Sequence, residues 1–267
     1  MISKESLSNQ CAIITGGGGL LAFEHAYALL ELDCFVILLD IDNKSLKKNI
    51  SSLRKEGFFK LSSYVCDITR ENELIKLSNR LKKINKIPNI LINNAALNFS
   101  TNKKTKYKKY HLENFDTNYF VKELDIGLKG SYLCSKIFGK MMKTIGKGII
   151  LNISSDLSVI SPDQRLYSSL NNKKPISYSI VKHGLIGLTR YLATYWASYN
   201  IRVNALSPGG ISDNQDKEFL KKIKSLIPMK RMLKREEIRS SIQFLCSDAS
   251  SYMTGQNIIL DGGRTVL

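Results

Sequence analysis

Histidine and cysteine are both scarce, at 3 and 5 in 267 residues. The thiols, Cys11, Cys34, Cys66, Cys134 and Cys246, are odd in number, widely spaced and mostly within apolar runs, with no C-x-x-C among them. That pattern excludes a disulfide framework and a paired redox motif; it reads as reduced core thiols of a cytosolic protein. His25, His111 and His183 stand at no spacing with cysteine or carboxylate that makes a metal site, so no metal is expected. Long apolar runs are missing too. None approaches the roughly 20 residues a membrane span needs, and the polar opening, Met1 to Gln10, is not that of a signal peptide. The chain is expected to be cytoplasmic, with no membrane partner. No internal repeat or linker breaks it, so residues 1–267 are read as one domain.

Acidic residues are the minority: 23 against 40 Lys and Arg, a formal net charge of +17. Such a balance raises nucleic-acid binding. The lysines, however, are spread through 44–48, 82–86, 103–109 and 221–224, and asparagine and isoleucine abound beside them, as a coding bias would produce. A solvated basic surface is the simpler reading, and no specific nucleic-acid partner is expected. The densest cluster, 103–109, stays open.

What is present is an alternation of apolar strands and helices. Cys11 to Thr15 is a β-branched run ending in Gly16-Gly17-Gly18-Gly19, and a helical pattern follows from Leu20 to Leu32. Gly17-x-Gly19-x-x-Ala22 fits G-x-G-x-x-G/A, where glycines let the backbone approach a pyrophosphate and the helix N-terminus favours its charge. Alone the motif is weak, because four glycines also make a flexible turn. The next strand, Phe35 to Leu39, ends at Asp40, about 20 residues on. A carboxylate there accepts from a ribose 2′-hydroxyl and repels a 2′-phosphate, which favours NAD over NADP. Asp40 could instead cap the helix from Asn43 onward, and Asp42 competes for either task.

The pattern continues with a helix from Lys44 to Glu56, a strand from Leu61 to Cys66 before Asp67, and a helix from Glu71 to Ile84. A strand from Pro88 to Ile92 then runs into Asn93-Asn94-Ala95. Strands and helices in this order predict a parallel sheet covered on both faces, with ligands at the strands' carboxyl ends. Asn98 to Asp116 reads as a polar loop, Tyr119 to Met142 as a long helix, and Gly148 to Ile153 as a strand leading to Ser154-Ser155. Strands at Ile201–Leu206 and Asn257–Leu260 enclose two short helices, around Glu218–Leu226 and Arg235–Ser247.

Tyr178 and Lys182 lie four residues apart at the start of the helical run that ends at Tyr199, and so share a helical face. A tyrosine of pKa about 10 serves poorly as an acid or base at neutral pH; bringing it near 7 needs roughly 4 kcal/mol. A neighbouring ammonium, a helix N-terminus and a cationic cofactor ring are the expected sources. In a lysine-rich chain with 12 tyrosines the pair also arises by chance.

Its company gives it meaning. With Thr15-Gly16 and the glycine turn, Asp67, Asn93-Asn94-Ala95, Asn152-Ile153-Ser154-Ser155, Tyr178-x-x-x-Lys182, Asn204 with Pro208-Gly209, and Thr254-Gly255 before Asp261-Gly262-Gly263, the sequence resembles the short-chain dehydrogenase/reductase family over nearly its whole length. The resemblance implies an α/β, Rossmann-type doubly wound parallel sheet of about seven strands. It also implies hydride transfer between a nicotinamide cofactor and a carbon bearing oxygen. Tyr178 would be the acid/base, Lys182 would anchor the nicotinamide ribose, and Ser155, rather than Ser154, would orient the substrate oxygen. The dinucleotide would lie along Gly16, Gly17, Gly19, Leu20, Leu21, Asp40, Asp67, Ile68, Asn94, Ala95, Tyr178, Lys182, Pro208, Gly209 and Ile211. A helical pair near the C-terminus implies a homo-dimer or tetramer.

Three departures from the family pattern stand out. Leu20 and Ala22 replace glycines of the turn, Gly127 replaces an asparagine on the long helix, and 23 residues separate Ser155 from Tyr178, about ten more than usual. The added stretch contains Arg165, Lys173 and Lys174, which would bind an anionic substrate or simply be solvated. The turn, Gly127 and the long segment are similar to members that act in surface-sugar and flagellin modification. The expected function is an NAD-dependent oxidoreductase of a sugar or sugar phosphate. A 3-oxoacyl-[acyl-carrier-protein] reductase using NADPH, with Lys44 near the 2′-phosphate, is the alternative. A silent dinucleotide sensor or nucleic-acid scaffold is the alternative of another class. Trp196, Tyr191, Leu192 and Tyr195 are read as packing or interface residues, and Glu24 and Glu236-Glu237 as helix-surface charges.

Overall fold

Seven short runs pair into one all-parallel sheet in the computed structural model, which describes residues 3–97, 110–170, 173–213 and 215–267. The strands are β1 (Cys11–Thr15), β2 (Phe35–Asp40), β3 (Leu61–Val65), β4 (Ile90–Asn93), β5 (Gly148–Ile153), β6 (Ile201–Pro208) and β7 (Asn257–Leu260), in the order β3-β2-β1-β4-β5-β6-β7. The inner strands are buried on both faces, the pleat sending alternate side chains to opposite sides, while the edge strands β3 and β7 are only partly covered. In β1, Ala12 and Ile14 enter one core and Cys11 and Ile13 the other.

Helices supply the two outer layers. The apolar faces of α1 (Leu20–Leu30) and α2 (Asn43–Lys55) meet the first core, joined there by residues of the last helix below. Leu74, Leu77 and Leu81 of α3 (Glu71–Lys83) enter the second. The order reverses between β1 and β4, so a crevice opens at the carboxyl ends of those strands, where doubly wound sheets bind ligands. The lysine cluster at 103–109 lies outside the described residues.

The long central helix is interrupted. α4 (Thr117–Leu124) and α5 (Gly130–Ile145) are joined through Asp125–Lys129, whose hydrogen bonds widen to the i→i+5 pattern. Glycine permits the close packing here. A Cβ on Gly127 would lie 2.5 Å from Val181 Cγ1, and one on Gly130 would lie 2.7 Å from Ile68 Cδ1. Val181 belongs to α6 (Ile176–Trp196), which carries Tyr178 in its first turn. The C-terminal part adds α7 (Lys217–Ser225) and α8 (Arg239–Leu245).

Glu24 is not a surface charge. It is fully buried in α1, and Arg239 of α8 donates to its Oε2 at 2.7 Å while Arg235 lies 3.3 Å from Oε1. Periodicity placed it outside; a two-arginine clamp lets it sit inside. Trp196 and Leu192 are buried, the indole filling the space a side chain on Gly139 would need, whereas Tyr191 and Tyr195 are exposed and stacked on each other. Among the described residues no helix is long and apolar enough to cross a membrane, and no cluster of three metal-ligating side chains occurs.

Candidate active site

The crevice begins where β1 stops. Gly16 takes φ +65°, in the left-handed region that glycine favours, and a Cβ on it would press to 2.8 Å of Ala95 Cα. Thr15 fastens the same point to β4, its hydroxyl accepting from the backbone N–H of Asn94 at 3.0 Å and of Ala95 at 3.1 Å. The Asn94 amide in turn donates to the Thr15 carbonyl at 3.0 Å. α1 starts after Gly19 with no side-chain cap and no acid in its first turn. Its leading N–H groups and dipole therefore face the crevice unspent, which fits a pyrophosphate.

Asp40 and Asp42 separate cleanly. Asp42 caps α2, accepting from the N–H of Lys44 at 2.9 Å. Asp40 accepts from the N–H of Gly18 and of Asp42, each at 2.9 Å, which fixes its carboxylate at the rim of the turn with acceptor capacity to spare.

A cavity of about 460 Å³ runs from this turn to the start of α6. Gly16, Gly19, Leu20, Leu21 and Asp40 line one end, with Asn94 and Ala95 beneath. Pro208, Gly209 and Ile211 close a side, and Ser155, Tyr178 and Lys182 line the other end. Three expected residues stand off this wall. Gly17 lies beneath, where a Cβ would meet Leu38 at 2.7 Å. Asp67 spends Oδ1 on the N–H and hydroxyl of Thr69, and Ile68 is buried against Gly130.

The two serines divide their tasks. Ser154 donates to the Lys182 carbonyl at 2.8 Å, tying β5 to α6, whereas Ser155 donates to Asp156 Oδ1 at 2.8 Å. Lys182 Nζ donates to the Ile153 carbonyl at 2.9 Å and sits 5.5 Å from the centre of the Tyr178 ring. Lys174 approaches that ring more closely, its Nζ 3.6 Å from the centroid. Burial pushes both ammonium groups down to about 8, with Glu123 pulling each back up.

The phenol is shifted upward in the chain alone. Burial pushes Tyr178 up to about 12, the Ser155 hydroxyl pulls it back, and Asp156 and Glu123 push it further up. Desolvation is the largest cause, and in the chain alone this tyrosine holds its proton at neutral pH.

The added segment contributes unevenly. Lys174 lines the cavity, Lys173 lines a neighbouring hollow with Tyr110 and Pro162, and Arg165 points away, its side chain 87% exposed and paired with Asp163. Three further residues escaped notice in the sequence. Asp156 is buried and paired with Arg264 at 2.6 Å. Glu123, also buried, accepts a short hydrogen bond from Ser177, and burial raises its carboxyl above the usual range. It sits one turn before Gly127, where the family asparagine is missing, and that offset was the available signal. Arg264 gave none, being 108 residues from its partner.

Fold and crevice define a class, the dinucleotide-dependent oxidoreductases, and comparison with known proteins narrows it. A family model described as enoyl-(acyl carrier protein) reductase matches residues 20–265. The NAD-dependent glycerol dehydrogenase of Listeria innocua is 32% identical, covering 98% of this chain and 96% of that protein. The post-translational flagellin modification protein A of Campylobacter coli is 30% identical, covering 96% and 98%. A short chain dehydrogenase from Leptospira borgpetersenii, solved with bound NAD+, superposes with a TM-score of 0.83 at 33% identity, covering 98% and 95%. The chain belongs to the short-chain dehydrogenase/reductase family, and it is an NAD(P)-dependent enzyme acting at a carbonyl or hydroxyl carbon.

Proposed function

We propose that this enzyme uses NAD to oxidise or reduce a small, polar, sugar-like substrate in the cytoplasm, as a homo-dimer or tetramer. The observation carrying the cofactor preference is Asp40, whose fixed carboxylate at the rim suits a ribose 2′-hydroxyl and opposes a 2′-phosphate. The open α1 N-terminus and Gly16–Gly19 would hold the pyrophosphate, and Lys182 the nicotinamide ribose. The bound cofactor would supply a hydride acceptor or donor. Tyr178 then gives its phenolic proton to the substrate oxygen in reduction and takes it back in oxidation, while Ser155 orients that oxygen. A positive charge on the nicotinamide ring is the remaining source of acidification for a phenol that burial holds near 12.

The sugar-like substrate draws support from the polyol in the Listeria relative's name and the flagellin modification in the Campylobacter relative's name. Turnover of NAD+ and NADH should be screened against polyols, sugar phosphates and nucleotide sugars. Tyr178→Phe is expected to lower kcat by about 10²–10⁴ with NADH binding nearly unchanged; retained turnover would remove Tyr178 from the chemistry. Tighter binding of NADPH than NADH would overturn the role of Asp40. The family model's description favours one other reading, an acyl-carrier-protein reductase. NADPH-dependent reduction of a 3-oxoacyl thioester, with no turnover of sugars, would select it.

A further inference from the structure

Arg264 lies near the C-terminus, 9% exposed, on the wall of the same cavity as Ser155 and Tyr178. A guanidinium carries five N–H donors. Among the described residues its side chain makes one hydrogen bond, Nη1 to Asp156 Oδ2 at 2.6 Å. Burying a cation with most of its donors unspent is costly unless a partner arrives. Its remaining nitrogens are not sealed away, since none is among the fully buried, unpartnered side-chain atoms. Asp156 has less to offer it than a dedicated partner would, because Oδ1 is already taken by Ser155 and the Leu157 N–H.

Charged groups of both signs crowd this cavity. Lys174, Lys182 and Arg264 all line this end of the cavity, against Asp156 on the wall and Glu123 behind it. Asp163 also reaches Arg264 with its charge and Asp213 lines the cavity, so an anion would be drawn by the donors of Arg264 and not by an excess of cations. Lys174 and Arg264 also feel each other's charge, so an anion between them would relieve both.

We propose that Arg264 and Lys174 form an oxyanion subsite at the substrate end, and that the substrate carries a carboxylate or phosphate beyond its reacting carbon. This rests on the reading of the cavity as the substrate site. The arginine fork accepts either group through paired N–H donors, and Lys174 contributes a point charge.

Three probes on one three-carbon skeleton separate the cases: glycerol, glycerate and glycerol 3-phosphate. Their binding is measured calorimetrically to the intact protein, with and without saturating NADH. At least one charged probe should bind tenfold or more tightly than glycerol, and the tighter of the two identifies the oxyanion. Arg264→Gln should erase that gap while leaving glycerol and NADH binding within about twofold. Asp156→Asn, which frees the guanidinium, should tighten the charged probe at least threefold and serves where Arg264→Gln folds poorly. Equal affinity for all three probes overturns the subsite, as does an Arg264→Gln loss shared equally by glycerol and NADH, which would make Arg264 a tether for the C-terminus. Failure of the wild type to bind NADH would overturn the dinucleotide reading instead, while the comparison without NADH still decides the subsite.

Discussion

Lys174 and Lys182 bring two ammonium groups into an interior where burial lowers both to about 8. An unfolded lysine holds its proton to about 10.4. Between those values the unfolded chain holds protons that these two lysines have released in the folded chain, so their contribution to stability rises with pH from about 8 to 10. The contribution is absent below 8, where both states are charged and the fold bears the full desolvation cost. The five buried thiols act in the opposite sense above about 8.5, where the unfolded thiols ionise and the folded ones do not. The lysine contribution is therefore read as the difference between wild type and Lys174→Met in chemical denaturation of the ligand-free protein at pH 7, 8.5 and 10: wild type should gain on the variant as pH rises, and a constant difference would mean that Lys174 is solvated. Tyr178 acts in the opposite sense only above 10, where the unfolded phenol ionises and the folded one, held near 12, does not.

At the scale of elements, the packing of α6 against the widened turn fixes where Tyr178 and Lys182 stand. Val181 occupies the space that a side chain on Gly127 would need, so the asparagine usual in the family cannot be restored by substitution alone. Gly127→Ala is expected to destabilise the fold by about 1–3 kcal/mol, measured by denaturant midpoint. Much of that loss should return in Gly127→Ala/Val181→Ala; no rescue would place the strain elsewhere. Local signals made the sheet, its order of helices and strands, and the cavity's rim legible. Continuous apolar runs, a glycine turn and a terminal acid are each written within a few residues. The widened turn was not legible, because Tyr119 to Met142 keeps its helical period across Asp125–Lys129. Glu123, Asp156 and Arg264 were hidden for a related reason: each acts through a partner at least 54 residues away. Burial of the Tyr178 phenol was not legible either, because adjacency of charges can be read from spacing, whereas loss of water cannot.

At the scale of the whole molecule, the charge of +17 is held on an α/β enzyme fold rather than on a groove-reading element. Non-specific attraction to DNA is expected at low salt and should vanish by about 0.15 M, since it depends on counterion release. Retention on duplex DNA at that ionic strength would reopen a nucleic-acid role, and residues 103–109 would be the first to truncate.

All five cysteines are buried, and desolvation raises each thiol, Cys11 and Cys66 to about 11. A neutral, enclosed sulfur is a poor nucleophile, so the native enzyme should ignore an alkylating reagent. Modification then becomes a clock for opening of the structure. Mass spectrometry of iodoacetamide-treated protein should show molecules with none or many adducts and few between, and a saturating dinucleotide should slow the conversion. Rapid capture of one thiol alone would reveal a door in the scaffold that the rest of the chain keeps shut.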